Sequence, residues 1–260
     1  MKRWIAMGLC ILLVFAMASC GSQEDVQGEI EPNTEVVESQ IPEDVTGELS
    51  DQPESEAVEA ETEEVESEAT TEKPLSLGRM NGGVYTNAYT GYSCTLDENW
   101  EFYTAQELQE LPEGVAEALE GSDVGAAMEG VEQVTDMMAE NATDLVTINV
   151  LYQKHTLEQR LAYAIMSDDA ILDQVLTQED TMIAAYEQTG ILVEKLEKRN
   201  VTFLGQERVA LHTTATIEGV PYYCLQLFDY RNGAYGVTLT LASFVEDNTT
   251  SLLDLFTPVA

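Results

Sequence analysis

Between residues 21 and 75 the chain has no aromatic residue, and 19 carboxylates stand against a single basic residue, Lys73. The isolated valines and isoleucines of this stretch follow neither a helical nor an alternating period. Such a segment buries too little apolar surface to offset its conformational entropy, and its like charges repel one another. The sequence therefore predicts a disordered acidic linker, so that a folded core has to come from the residues after it.

The first nineteen residues have the organisation of an export signal. Lys2 and Arg3 form a positive start, and an almost unbroken apolar run extends from Trp4 to Ala18. This run is shorter than the ~20 residues that a membrane-spanning helix needs. A small pair, Ala18-Ser19, then precedes Cys20, as at a signal-peptide cleavage site.

Residues 17–20, Met-Ala-Ser-Cys, resemble the lipobox of bacterial lipoproteins, although that family prefers leucine where this chain has Met17. The resemblance implies that Cys20 is diacylated, with fatty acids such as palmitate, and becomes the mature N-terminus. Two acyl chains would anchor the protein stably at the extracytoplasmic face of the cell membrane. An ordinary secretory signal with an incidental cysteine is the alternative.

Together these features divide the chain into a signal peptide at 1–19, a lipidated N-terminus with a disordered acidic linker at 20–77, and a globular domain at 78–260. The linker is best interpreted as a spacer that holds the domain away from the membrane. An acidic tail that recruits cations or basic proteins is the other interpretation of the same charges.

The formal charge of −37 argues against nucleic-acid binding, which depends on lysine and arginine replacing condensed counterions. It also argues against direct contact of the protein surface with anionic lipid headgroups. About half of the excess belongs to the linker, but the residues from 76 onward are still acidic, with 29 carboxylates and eight basic residues.

Within the domain, two Ser/Thr-x-x-Glu/Gln patterns predict helix starts, at Thr104 and at Thr156. We expect the first helix to end before Pro112 and the second near residue 166. Weaker periodicity suggests a helix over residues 123–139. An apolar face with 3.6-residue spacing predicts one further helix from Asp168 to Gly190.

Extended segments account for the rest of the domain. Two short ones precede Trp100, and residues 145–152 are apolar on both faces, as in an interior strand. Four more follow after residue 190, separated by turn signals at residues 205–206, 218–219 and 232–233. They predict an antiparallel meander, closed by a helix at residues 247–256. The order of elements indicates an α+β fold with helices packed on an antiparallel sheet.

This arrangement resembles the PsbP-like fold group, which includes small bacterial lipoproteins. The resemblance rests on Gly91-Tyr92 leading through Cys94 and Leu96 to Trp100, and on the late meander with its terminal helix. Family members often have a proline where this chain has Asp97-Glu98-Asn99. The resemblance implies a PsbP-like sandwich and an accessory or binding role, without implying an activity.

Motifs that carry chemistry are absent from the sequence. There is no zinc-type cysteine or histidine spacing, no nucleophile elbow and no phosphate-binding loop. His155 and His212 are assigned to structural positions, and we expect no cofactor and no metal. Because carboxylates are so abundant, a pair suited to glycoside hydrolysis remains an alternative.

Three groups of residues in the domain are candidates for a further role. Cys94 and Cys224 either form a disulfide, which export would favour, or are two separate buried thiols. A second group, the tyrosines Tyr85, Tyr89 and Tyr92, forms either a binding patch or part of the core. The third, the basic residues Lys195, Lys198 and Arg199, either contacts an anion or protects an edge strand from pairing.

The sequence thus predicts a lipid-anchored, extracytoplasmic lipoprotein that is not an enzyme. Its expected role is to bind or support another component of the cell envelope, either a protein or a wall polymer. An envelope hydrolase that uses paired carboxylates is the alternative function.

Overall fold

The computed structural model of the protein describes residues 74–118, 131–231 and 233–259. The predicted signal peptide, Cys20 and the predicted linker as far as residue 73 lie outside the described residues. Residues 119–130, which include the start of the helix predicted at 123–139, also lie outside them. Within the described ranges, no helix combines the length and the hydropathy that crossing a membrane requires.

The described residues form helices and strands in the following order: β1 (Arg79–Asn81), β2 (Val84–Asn87), β3 (Tyr92–Thr95), β4 (Glu101–Phe102), α1 (Ala105–Ala118), β5 (Gln133–Asn141), β6 (Val146–Lys154), α2 (Leu157–Ala164), α3 (Asp168–Leu176), α4 (Glu179–Gln188), β7 (Ile191–Phe203), β8 (Gln206–Ile217), β9 (Val220–Asp229), β10 (Tyr235–Phe244), a 3-10 helix (Ser251–Leu255) and β11 (Phe256–Pro258).

The strands build two antiparallel sheets. The small sheet has the order β1-β2-β3-β11, and the large sheet has the order β4-β5-β6-β10-β9-β8-β7. Strands β7 to β10 are the predicted meander. Strand β6 is an interior strand, as expected from a segment that is apolar on both faces, and β9 is interior as well. The predicted α+β class, with helices and an antiparallel sheet, is confirmed.

Each face of the large sheet has its own core. The small sheet covers one face, and the apolar side chains between the two sheets include those of Ile148, Val150 and Leu239. Helices α2 to α4 lie over the other face, where side chains such as Ile171, Val175 and Leu211 pack together. Successive residues of a strand point to opposite faces, so strands of the large sheet supply both cores.

The hairpins of the meander turn where the chain takes up positive φ angles. Leu204-Gly205 connects β7 to β8, and Glu218-Gly219 connects β8 to β9; in both pairs each residue has a φ between 51° and 80°. The flanking residues are paired directly, as in a two-residue type I′ turn. Residue 232 of the third turn signal lies outside the described residues.

Both predicted capping boxes are present. The backbone N–H of Glu107 donates to the Thr104 hydroxyl, and the Glu107 carboxylate accepts from the Thr104 N–H at 2.8 Å. Thr156 and Gln159 make the same reciprocal pair at the start of α2. Helix α1 nevertheless continues past Pro112 to Ala118, so the predicted stop was wrong: a proline removes one helical hydrogen bond, and that loss alone does not have to end a helix.

Three other predictions about single elements were wrong. The helix expected from Asp168 to Gly190 is two helices, interrupted at Thr177, whose hydroxyl donates to the Gln174 carbonyl. Residues 133–141 form β5 and not a helix, because pairing with β6 places apolar side chains on both of its faces. The expected C-terminal helix is a short 3-10 helix followed by β11, which pairs with β3.

Candidate binding surface

The three tyrosines that the sequence offered as a surface patch lie in the core between the two sheets. Tyr85 has 0% of its surface exposed, Tyr89 1% and Tyr92 5%. The Tyr92 ring packs edge-on against Phe256 and Phe203. The patch is therefore not available to a partner, and the alternative of core packing describes these residues.

Tyr85 belongs instead to a buried polar network centred on Asp136, which lies at an irregularity of β5 between Thr135 and Met137. The Tyr85 hydroxyl donates to Asp136 Oδ2 at 2.6 Å, and Asn87 Nδ2 donates to the same oxygen at 2.6 Å. The backbone N–H of Gly78 donates to both carboxylate oxygens at 2.9 Å. The network fastens the start of the domain and the small sheet to the large sheet.

The hydroxyl groups of the tyrosines in this network stay protonated. Burial is the main cause that raises the pKa of Tyr85 and of Tyr152, and the nearby Asp136 carboxylate raises both further. Asn87 Nδ2 also lies 2.6 Å from the Tyr152 hydroxyl oxygen. The tyrosines therefore stay protonated and donate or accept hydrogen bonds within the network. The Asp136 carboxylate accepts such bonds and thereby joins the two sheets.

The two cysteines lie in different cores. Cys94, on β3, belongs to the core between the sheets, whereas Cys224, on β9, belongs to the core beneath the helices. Both are buried free thiols. Burial raises the pKa of each to about 12, so both are held in the protonated and unreactive form.

His212, on β8, is buried beside Arg199 and Asp247, whose side chains are partly exposed. Arg199 Nη2 lies 2.9 Å from His212 Nδ1, and His212 Nε2 lies 3.1 Å from Asp247 Oδ2. Because a guanidinium only donates, Nδ1 accepts and the ring hydrogen is assigned to Nε2, facing the carboxylate. Burial, followed by the adjacent Arg199, lowers the pKa of His212. Nδ1 is thereby hydrogen-bonded inside the protein, whereas Nε2 lies close to the carboxylate without a hydrogen bond among the described residues.

His155, which follows β6, is 4% exposed and lies among aromatic rings on the helix-covered face. Its ring centroid is 5.0 Å from that of Tyr163 and 4.8 Å from that of Tyr230. Neither ring nitrogen has a hydrogen-bond partner among the described residues. Burial, followed by the charge of Arg160, lowers the pKa of His155 to about 4.

The three clustered basic residues of β7 all form ion pairs within the domain. Lys195 pairs with Glu197 at 2.7 Å, and Lys198 lies 2.7 Å from Asp169 and 2.6 Å from Asp173. Arg199 pairs with Asp247 at 2.8 Å. Strand β7 is at the edge of the large sheet, where charged side chains discourage pairing with other chains. Within the described ranges, no three His, Cys, Asp or Glu side chains are arranged to hold a metal ion.

The most unusual surface of the described domain is the outward side of α2. Leu157 and Leu161 are each 65% exposed, and Ile165, which caps the helix, is 89% exposed. Residues spaced four apart lie on one side of a helix, so the three side chains form one apolar stripe. We call these three residues the α2 stripe. The side of α2 that faces the sheet contributes one fully buried side chain, Tyr163.

Exposed carboxylates are frequent on helices α2 to α4. Residues 157–188, which include α2 to α4, contain seven acidic residues and one basic residue, Arg160. Six of the seven are exposed: Glu158, Asp169, Asp173, Glu179, Asp180 and Glu187. Lys198 compensates Asp169 and Asp173, and no ion pair of the described residues joins the other four to a basic side chain. The α2 stripe therefore belongs to a group of helices whose exposed charged side chains are mainly acidic.

Sequence reasoning missed the α2 stripe. The signal was present, because Leu157, Leu161 and Ile165 are spaced at four residues, but the same spacing is typical of a helix face that packs on the core. Only the position of Tyr163, on the opposite side, shows that the larger apolar face of α2 points to solvent.

Comparisons with known proteins give a limited result. No protein-family model matches the chain, and no curated protein matches it significantly. A similar solved structure is the solution structure of cyanobacterial PsbP (CyanoP) from Synechocystis sp. PCC 6803. It is 12% identical in sequence and superposes with a TM-score of 0.36, covering 72% of this chain and 95% of that chain. The likeness concerns the fold alone and gives no information about what this chain binds.

Proposed function

We propose that the protein is a lipid-anchored, extracytoplasmic lipoprotein with a non-enzymatic binding or accessory role in the cell envelope. The single observation that carries the binding role is the α2 stripe. A helix that turns three large apolar side chains to solvent exposes surface whose burial is favourable, as is typical of a protein–protein contact site. The lipobox-like residues 17–20 support the anchor.

The environments of the polar side chains support a binding role over a catalytic one. Asp136 accepts hydrogen bonds that join the two sheets, and His212 is fixed between Arg199 and Asp247. Asp168 pairs with both Arg208 and Arg231 at the start of α3. These three groups, which acid–base chemistry could use, are thus committed to holding elements of the fold together.

Metabolic labelling tests the anchor. Cells that express the full chain are grown with an alkyne fatty acid, and the protein is then isolated and coupled to a fluorophore. We expect the wild type to be labelled and Cys20→Ala to be unlabelled. Cys10→Ala is the matched control, because it removes a cysteine from the predicted signal peptide and should leave labelling intact. Equal labelling of wild type and Cys20→Ala would show that the anchor proposal is wrong.

Crosslinking in intact cells tests the binding role. A membrane-permeant crosslinker is applied, the protein is purified under denaturing conditions, and attached proteins are identified by mass spectrometry. We expect a partner that is recovered with the wild type and reduced in Cys20→Ala, which would no longer be held at the membrane. Recovery of the same background proteins from both strains would contradict a membrane-localised binding role.

A further inference from the structure

We propose that the α2 stripe is the docking surface for a basic amphipathic helix of a partner protein. The inference rests on the binding role proposed above and specifies the chemistry of the partner. It is argued from three properties of α2: its weak commitment to the core, the geometry of its outward face, and the charge of the surface around it.

Helix α2 contacts the core through the side opposite to its apolar stripe. Its contact with the core is made through Tyr163, which is 1% exposed and packs against His155 and Tyr230. Its first turn is closed by the Thr156–Gln159 capping box. Leu157, Leu161 and Ile165 lie on the other side of the helix and are largely exposed, although leaving such side chains in water is unfavourable.

The geometry of the stripe fits a second helix. Three residues spaced four apart extend over two helical turns, or about 12 Å at a rise of about 1.5 Å per residue. The stripe is a ridge of the kind that fits between the side chains of a facing helix. Apolar anchors at three- and four-residue spacing on the partner would match it, as in other helix-mediated recognition.

The exposed carboxylates of α2 to α4 favour a partner helix that is basic. Glu158 is exposed on α2, and Glu179, Asp180 and Glu187 are exposed on α4; no ion pair of the described residues joins these four to a basic side chain. Lysine or arginine flanking the apolar anchors of a partner would complement these carboxylates. The same carboxylates repel an anionic lipid surface, and they repel a second copy of this acidic domain.

Binding to a synthetic probe tests the proposal. The probe is a fluorescent 14-residue helix with leucine at three- and four-residue spacing and lysine elsewhere. A leucine–glutamate peptide of the same pattern and a leucine–lysine peptide with shuffled order are the controls. The full chain is titrated into each peptide, and binding is followed by fluorescence anisotropy at two salt concentrations.

We expect the leucine–lysine helix to bind the wild type and to bind at least tenfold more weakly to a triple variant, Leu157→Gln, Leu161→Gln and Ile165→Gln. A matched variant, Leu192→Gln with Val220→Gln, changes exposed apolar residues of the sheet and should bind like the wild type. Circular dichroism checks that both variants are folded. Higher salt should weaken binding, and both control peptides should bind at least tenfold more weakly.

Several results would overturn the proposal. Equal binding by the wild type and the triple variant would mean that the linker or another acidic surface attracts the probe. Equal binding of the shuffled or the glutamate peptide would exclude an amphipathic basic helix. Flotation with lipid vesicles, or self-association in sedimentation velocity, that only the triple variant lacks would identify a membrane or a second copy as the occupant.

This outcome is separable from that of the binding role in cells. If crosslinking recovers a partner from both the wild type and the triple variant, the protein binds that partner through another surface. If crosslinking recovers no partner while the peptide binds through the stripe, the surface exists but the proposed role in the envelope is wrong.

Discussion

Two buried polar side chains on opposite faces of the large sheet, Asp136 and His155, differ in their hydrogen bonding. On the face covered by the small sheet, Asp136 accepts hydrogen bonds from Gly78, Tyr85 and Asn87, at distances between 2.6 and 2.9 Å. On the face covered by helices, the His155 ring is buried among Tyr163 and Tyr230, and among the described residues neither of its nitrogens has a hydrogen-bond partner.

This difference affects how the small sheet and helix α2 are attached to the large sheet. Hydrogen bonds to a buried carboxylate are directional and are costly to break, so the small sheet is fixed in one position. Helix α2, in contrast, is attached mainly through Tyr163 and the neighbouring rings, a contact that imposes less directional constraint. Helix α2 is also the element that presents the α2 stripe.

The largest effect is expected from Asp136→Ala, which removes the central acceptor of the hydrogen-bond network on the sheet-covered face. The change leaves the Tyr85 hydroxyl and the Gly78 N–H without their acceptor inside the protein, and it removes one of the acceptors of the Asn87 amide, which also donates to Tyr152. Since each unsatisfied buried group costs about 1–3 kcal/mol, we expect the free energy of unfolding to fall by roughly 3–5 kcal/mol. Urea denaturation of the full chain, followed by tyrosine and tryptophan fluorescence, measures the change.

Glu187→Ala is the matched control for Asp136→Ala, because it removes one carboxylate from the exposed surface of α4. It should change the free energy of unfolding by no more than about 0.5 kcal/mol. A loss below about 1 kcal/mol in Asp136→Ala would mean that the network does not fasten the small sheet.

The next effect is a pH dependence that belongs to the helix-covered face. The pKa of His155 is lowered to about 4 in the folded protein, against about 6.5 for an unperturbed histidine. The unfolded chain therefore binds more protons between these values. The contribution of His155 to the free energy of unfolding is therefore constant above about pH 6.5. It falls as the pH decreases, and at pH 4 the free energy of unfolding is lower by roughly 3 kcal/mol.

His155→Phe isolates this contribution. The rings that face residue 155 come from α2 (Tyr163) and from the segment after β9 (Tyr230), and the charged group acting on it is Arg160. We expect the difference in unfolding free energy between wild type and variant to change by about 3 kcal/mol from pH 7 to pH 4. The same pH dependence in both proteins would show that His155 does not titrate with a lowered pKa.

The sequence predicted those parts of the fold that depend on neighbouring residues. The capping boxes at Thr104 and Thr156 and the turns at Gly205 and Gly219 involve residues two or three positions apart, so their patterns are visible locally. Strand β5 was mistaken for a helix because its assignment depends on pairing with β6. Local propensity is weak where tertiary pairing decides the structure.

The Asp136 network and the α2 stripe could not be predicted for a related reason. Asp136 is 51 positions from Tyr85 and 49 from Asn87, so no local pattern connects them. In α2, the spacing of Leu157, Leu161 and Ile165 is compatible with either orientation of the helix. The contact between Tyr163 and the rings of His155 and Tyr230 decides that orientation, and it depends on the whole fold.

The smallest of the three effects tests how closely β10 packs against the ring of His155. Gly236, on β10, faces His155 and Tyr230, and a Cβ added there would meet His155 Cε1 and Tyr230 Cδ1 and lie 2.6 Å from His155 Nε2. Gly236→Ala should therefore lower the free energy of unfolding by about 1–3 kcal/mol, because an overpacked core has to shift its side chains. In a double-mutant cycle, His155→Ala vacates one side of this contact, so Gly236→Ala should cost less in that background than in the wild type. Equal costs in the two backgrounds would contradict a direct contact between residues 236 and 155.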